Sequence, residues 1–228
     1  MTPFAAVIFD MDGLLLDSEI LALQAFQSTC SDFDIPCQRG VFNRLIGTSR
    51  ESGMQILKSY LAKLVDAEKF AQLWDIKYHE FTTAQPIPLK PGVRSLLSKL
   101  DQLGTPTAVA TSTDTQQATH KLVSAEIVRY FDCIVGGDMV TNSKPNPDIY
   151  LNAAAKLNQR ASACLALEDS ENGVRAALAA GMTVVQIPDL IEPGPEFVQL
   201  GHIVLNSLDD VLDFDFVGYL AERRQNGN

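Results

Sequence analysis

Positive charge is scarce in this sequence: 18 Lys and Arg stand against 28 Asp and Glu, giving a formal net charge of -10 and a pI near 4.7. A nucleic-acid footprint needs clustered Lys and Arg against phosphates, so that class of partner is excluded, and an anionic membrane surface is disfavoured on the same ground. A small phosphorylated molecule is not excluded, because one local cation suffices to attract it. Long apolar runs are also missing, and none approaches the roughly 18 residues of a membrane span. The start, Met1-Thr2-Pro3-Phe4, has no basic region, and Asp10 and Asp12 interrupt the apolar stretch behind it before a signal-peptide core could form. The four cysteines, Cys30, Cys37, Cys133 and Cys164, lack CxxC spacing, which reads as reduced core thiols in a cytoplasmic protein rather than disulfides or a zinc site. No internal repeat or low-complexity segment occurs, and without a long exposed heptad a monomer is the expectation. What is present, 228 residues with 46% hydrophobic and 20% charged, is enough for one large α/β domain or a core carrying a smaller insert.

Short apolar, β-branched runs mark the strands: Ala5-Ala6-Val7-Ile8-Phe9, Thr107 to Ala110, Cys133 to Val135, Cys164 to Leu167, Thr183 to Ile187 and Ile203 to Leu205. Each is too short for a helix and almost continuously apolar, as expected of strands covered on both faces. Helical patterns alternate with them. Val93 to Leu103 carries a leucine stripe, and Thr113 to Ile127 opens on a Thr113-x-x-Gln116 capping box. Pro147 to Leu157 has Asn146 as its N-cap, and Glu171 to Ala180 is closed by Gly181. This alternation predicts a doubly wound parallel sheet of the α/β class. From about Asp17 to Gln85 only helical periodicity is found, over Ile20 to Cys30, Val41 to Ile46, Glu51 to Leu64 and Ala67 to Phe81. Gln85 to Gly92, rich in proline, then reads as a stiff return linker. The predicted organisation is an α/β core of residues 1–16 and 88–228 with an all-helical insert, 17–87, placed after the first strand. Residues 224–228 read as a frayed end.

In an open parallel sheet ligands bind beyond the carboxyl ends of the strands, so the polar residues there carry the functional information. Asp10 and Asp12 follow the first run, Thr111, Ser112 and Thr113 the second, and Glu168, Asp169 and Ser170 the fourth, while Lys144 lies in the loop beyond the third. Taken singly these are a turn, a helix cap, a solvated lysine and a favourable helix start. Together they place four acids, hydroxyls and one lysine on one edge. Two carboxylates one residue apart repel unless a cation or a reaction uses them. Mg²⁺, a hard cation that takes oxygen ligands and retains waters, would be held by Asp10 and Asp169. Asp10 could then attack phosphorus, Asp12 move the proton, and Thr111 and Lys144 hold phosphate oxygens. An EF-hand reading of Asp10 to Gly13 fails, since the glycine comes too early and later ligands are missing.

These residues resemble the haloacid dehalogenase superfamily, and within it the β-phosphoglucomutase-like phosphatases and mutases. Asp10-Met11-Asp12-Gly13 through Asp17-Ser18-Glu19 matches the first motif, Thr111 the second, Lys144-Pro145-Asn146-Pro147 the third and Leu167-Glu168-Asp169-Ser170 the fourth. The resemblance implies a Rossmannoid core, a small cap that closes over the site, Asp10 as nucleophile and Asp12 as acid/base. It also implies Mg²⁺ at Asp10, the Asp12 carbonyl and Asp169, with Glu168 beside them, and phosphate contacts from Thr111, Ser112 and Lys144. Asp12 favours phosphate esters over dehalogenase or phosphonatase chemistry. Gly47-Thr48-Ser49-Arg50 resembles the cap stretch whose arginine grips a substrate phosphate in the mutase. The mutase's cap histidine and lysine fall near Ala22 and Trp74, which speaks for hydrolysis. Trp74, Tyr78 and Phe81 read as cap core. The expectation is a Mg²⁺-dependent phosphatase of a small phosphorylated metabolite of the sugar-phosphate class, acting through an aspartyl-phosphate. The alternatives are a phosphohexomutase and a non-catalytic phosphate-binding protein.

Overall fold

The computed structural model describes residues 3–46, 48, 50–62 and 64–225, with the side chains of Arg50 and residues 222–225 outside that description. Six parallel strands, β1 (Ala6–Phe9), β2 (Thr107–Ala110), β3 (Cys133–Val135), β4 (Cys164–Glu168), β5 (Thr183–Gln186) and β6 (Ile203–Val204), form one sheet in the order β3-β2-β1-β4-β5-β6. The order reverses at β1, which pairs with β2 on one side and β4 on the other. That is the switch point at which an open α/β sheet takes ligands.

Side chains alternate across the sheet with period two. Val7, Phe9, Val109, Leu165, Leu167 and Val185 face a layer that includes α5 (Val93–Gln102), α6 (Thr115–Ser124), α10 (Leu208–Asp213) and α11 (Phe216–Gln225). Ala6, Ile8, Ala108, Ala110, Ala166 and Val184 face α7 (Asp148–Lys156) and α8 (Glu171–Ala179). The alanines let that second layer approach closely. The short α9 (Pro195–Val198) supplies Phe197 to it. Neither α9, α10 nor α11 was expected from the sequence, and α11 extends to Gln225, inside the segment read as frayed.

Between β1 and β2 lie α1 (Ser18–Asp32), α2 (Arg39–Leu45), α3 (Arg50–Leu61) and α4 (Ala67–Ala84), the helical cap. It has its own apolar centre, in which Phe26 meets Phe42, Phe70 and Trp74 at ring separations of 5.6, 5.5 and 5.3 Å. The outgoing and returning connectors run side by side: Asp17 N–H donates to Pro88 O at 2.8 Å and Lys90 N–H to Leu15 O at 3.0 Å. The Gln85–Gly92 segment is thus tied to the chain leaving β1.

Two helix starts differ from expectation. The N-cap of α6 is Asp114, which accepts from the Gln116 and Gln117 amides, whereas the Thr113 hydroxyl turns toward Asp12. At α7 the N-cap position is Pro147, without a side-chain bond, and Asn146 donates to Ser143 O instead. In both cases a loop contact outcompeted the local capping preference. The cysteines are free thiols, but only Cys30 and Cys164 are buried; Cys133 is half-buried and Cys37 exposed, so the core-thiol expectation holds for two of four. Among the described residues no helix is long and apolar enough to cross a membrane.

Candidate active site

The carboxyl ends of β1, β2 and β4 and the loop before α7 converge as the spacing predicts. Asp10, Asp12, Thr111, Ser112, Lys144 and Asp169 line one cavity of about 330 Å³, and Glu168 lies behind it with no exposed surface. Asp10 continues the β1 ladder, its amide donating to Leu167 O at 2.9 Å. Gly13 makes the turn at φ +87°, and a Cβ there would stand 2.4 Å from Asp169 Oδ2. The glycine therefore serves both the turn and the close approach of an acid.

Lys144 is the central cation. Its Nζ donates to Asp10 Oδ1 at 2.5 Å, Glu168 Oε1 at 2.6 Å and Ala110 O at 3.1 Å. Tyr150 also donates to Glu168 Oε1, and the Asp169 amide, Ser170 amide and Ser170 hydroxyl all donate to Glu168 Oε2. Both oxygens of Glu168 are thereby engaged. Burial raises the Asp10 pKa to about 7, with Glu168 adding to the rise and Lys144 opposing it. Burial, followed by Glu168 and Asp10, pushes Asp169 well above the usual carboxylate range. The Lys144 ammonium gains more from its two anionic partners than burial costs it and stays charged.

Asp12 has a different setting. Ser18 Oγ and Lys121 Nζ donate to its Oδ1 at 2.9 and 2.8 Å, and Thr113 Oγ1 donates to its Oδ2 at 2.7 Å. Burial acts to raise its pKa, but Lys121 and these donors hold it below the ordinary value. These two carboxylates, with only Met11 between them, are thus driven in opposite directions, the arrangement by which acid and base roles are separated.

The acids of the Asp10 cluster fit a hard divalent cation. One ligand atom from each of Asp10, Glu168 and Asp169 lies within 4.8 Å of the others, and a cation there would offset both the burial and the mutual repulsion that raise Asp10 and Asp169. Glu168, with all its hydrogen bonds, has the least capacity left for a direct bond.

Several cavity residues were not singled out from the sequence. Lys121 is one; Gln117, one turn earlier on α6, shares its cavity-facing stripe, and that i, i+4 spacing was the available signal. Glu19 is another, raised to about 8 by burial and by Asp12, Asp189 and Asp10. From the cap come Phe42, Leu45 and Ile46, together with Trp74 and Tyr78. The last two were read as cap core; Trp74 does pack on Phe26, but both also line the cavity. Ala22 does so as well, and the Trp74 Nε1–H donates to its carbonyl at 3.0 Å. Arg50 opens α3, but its side chain, like residues Gly47 and Ser49, lies outside the described residues.

The model of the haloacid dehalogenase-like hydrolase family matches residues 7–187. The phosphorylated carbohydrates phosphatase of Thermotoga maritima is 31% identical over 210 residues, covering 91% of this chain and 96% of its own. The beta-phosphoglucomutase of Bacillus subtilis is 33% identical over 189 residues, covering 80% and 82%. Among solved structures, a mutant of CbbY from Rhodobacter sphaeroides in complex with xylulose-(1,5)bisphosphate superposes with a TM-score of 0.74 at 27% identity, covering 91% of this chain and 96% of that one. With its motifs on the matching strand ends, the chain belongs to the haloacid dehalogenase-like hydrolase family.

Proposed function

We propose that this protein is a Mg²⁺-dependent phosphatase that hydrolyses a small monophosphate ester of the sugar-phosphate class through a phosphoryl group carried on Asp10. The observation that carries the reading is the convergence, at the switch point of the sheet, of a buried Asp10, a buried Lys144 bonded to it and the Glu168–Asp169 pair, with Asp12 facing the same cavity. The relatives named for phosphorylated carbohydrates and hexitols support the substrate class.

In this mechanism Asp10 attacks phosphorus and the ester oxygen departs with a proton from Asp12. Water then attacks the aspartyl-phosphate, Asp12 taking its proton. Lys121 holds Asp12 as the carboxylate suited to that second step, and the negative phosphate entering beside it raises its pKa toward the acid form needed for the first. Lys144, Thr111 and Ser112 are assigned to the phosphate oxygens. Thr111 Oγ1 accepts from the Thr113 amide at 3.1 Å, which leaves its own proton available to phosphate. Asp10 and Asp169, with the Asp12 carbonyl, would hold Mg²⁺, which supplies charge neutralisation at the transferring phosphoryl group. We assign Glu168 to the same cluster as the carboxylate that fixes Lys144. Residues 17–87 act as the cap, with Arg50 as its substrate-side cation.

The test is steady release of inorganic phosphate from a panel of hexose and hexitol monophosphates with Mg²⁺. Activity should disappear with EDTA and fall about 10³-fold or more in Asp10→Asn. Interconversion of sugar phosphate isomers, primed by a bisphosphate and with little phosphate released, would assign the protein as a mutase instead. Ligand-induced thermal shifts without either product would make it a binding protein.

A further inference from the structure

We propose that Lys121 is a positioning residue that links the proton-transfer carboxylate to the cap, so that α4 settles over the cavity in register with Asp12. The inference rests on the role assigned to Asp12 above. Lys121 belongs to a core helix, α6, yet its side chain is only 13% exposed, and its ammonium bonds to two different parts of the molecule. One bond, 2.8 Å long, goes to Asp12 Oδ1 at the end of β1; the other, 3.1 Å long, goes to the Tyr78 hydroxyl on cap helix α4. The same Nζ stands 5.3 Å from the centre of the Tyr78 ring, so the aromatic face contributes to its solvation. An ammonium removed from water needs anionic and polar partners, and here one comes from the core and one from the cap. Moving α4 away from the core would withdraw the Tyr78 half of that solvation, and moving the Asp12 side chain would withdraw the other half.

The consequence is a two-way constraint. With α4 docked, Lys121 has both partners and helps hold Asp12 in one orientation, together with Ser18 donating to the same Oδ1 and Thr113 donating to Oδ2. With α4 displaced, Lys121 keeps Asp12 but loses its cap partner, so its ammonium no longer ties the Asp12 carboxylate to α4. Tyr78 lies one helical turn beyond Trp74, the single tryptophan of the chain, which lines the same cavity. Its intrinsic emission therefore reports how α4 meets the core, independently of turnover.

Three variants test the link: K121M, which removes the charge and keeps the length; K121R, which keeps the charge; and Y78F, which removes only the hydroxyl. K121M should lower kcat about tenfold or more with KM changed by less than about threefold, and K121R should recover part of the loss. Y78F should lower kcat about threefold or more in the wild-type background and have no further effect in K121M, as expected for two residues in one bonded chain. Saturating Mg²⁺ and inorganic phosphate should alter Trp74 emission in the wild type, and this response should be lost in both K121M and Y78F although calorimetry still shows phosphate binding. Equal factors for Y78F in the two backgrounds would overturn the proposal, as would an emission response retained in Y78F. If K121M fails to fold, the Y78F and K121R measurements decide alone. Because emission is read without turnover, failure of the link is distinguishable from failure of the phosphatase reading, which would show as no phosphate release in the wild type.

Discussion

Lys144 shows how much rests on a single side chain. It sits between Asp10 and Glu168 with 4% of its side chain exposed, and Glu168 has none exposed. Removing one member of a buried ionic cluster leaves uncompensated charge, at a cost of about 3–5 kcal/mol. Lys144→Met should therefore lower stability by about that amount at pH 8, and the loss should shrink at pH 5.5, where Asp10, raised to about 7 beside Lys144 and higher still without it, takes a proton in place of the lost cation. Thermal melts of the two proteins at both pH values measure the difference. Phosphate release by Lys144→Met should fall at every pH, because the cation that holds phosphate oxygens is missing.

At the scale of the element, α8 is shaped by what lies under its first turn. Ser170 caps the helix by accepting from the Gly173 amide at 3.2 Å while its hydroxyl donates to Glu168. Gly173 is inside the helix, where alanine would ordinarily stabilise by about 0.5–1 kcal/mol. Here a Cβ would meet Glu168 Oε1 at 1.8 Å. The Glu168 carboxylate is enclosed and bonded on both oxygens, so it cannot swing aside cheaply. Gly173→Ala is thus expected to destabilise, opposite in sign to its helix propensity, and to lower phosphate release by displacing the Glu168–Lys144 pair. A denaturant melt with unchanged m-value checks the sign. The same logic applies at Gly13, where φ +87° and the Asp169 carboxylate both oppose a side chain.

For the whole molecule, the acids around the cavity couple folding to pH and to metal. Asp10 and Glu19 have pKa values raised to about 7 and about 8, and Asp169 is raised well above its ordinary value. Between pH 4 and 8 the folded chain keeps protons that the unfolded chain has released, so these groups make stability decline as pH rises. Asp12, held low, works in the other direction and loses its contribution only below about pH 4. The Mg²⁺-free protein should accordingly melt at a lower temperature at pH 8 than at pH 5.5. Mg²⁺ competes with the protons for Asp10 and Asp169 and binds the folded state, so it should raise the melting temperature more at pH 8 than at pH 5.5. Scanning calorimetry with Mg²⁺ and with EDTA at the two pH values checks both signs; an equal shift at both would place the bound cation away from these acids.

The parallel α/β core was legible in the sequence, because strands buried on both faces must be continuously apolar over a few residues, and all six runs became strands within a residue or two. The gathering of Asp10, Thr111 and Asp169 followed from topology, since parallel strands present their carboxyl ends on one edge, and Lys144 reaches that edge from the loop between β3 and α7. Other features depended on which helix face meets which neighbour, something no local pattern encodes. Thr113 could cap α6 or bond Asp12, and packing against the first strand's end selected Asp12 while Asp114 took the cap. Glu168 could serve as a metal ligand, but its enclosure by Lys144, Tyr150 and Ser170 occupies both oxygens. Lys121 carried no signal beyond its i, i+4 spacing from Gln117, and Tyr78 read as an ordinary cap aromatic. Only when the Tyr78 hydroxyl of α4 reaches the Lys121 ammonium of α6 do the two meet over Asp12. Local sequence thus determined the strands, their polar ends and the all-helical insert, whose patterns repeat over two to four residues. Lys144 lies 134 residues from its partner Asp10, and contacts of that kind were decided by tertiary packing.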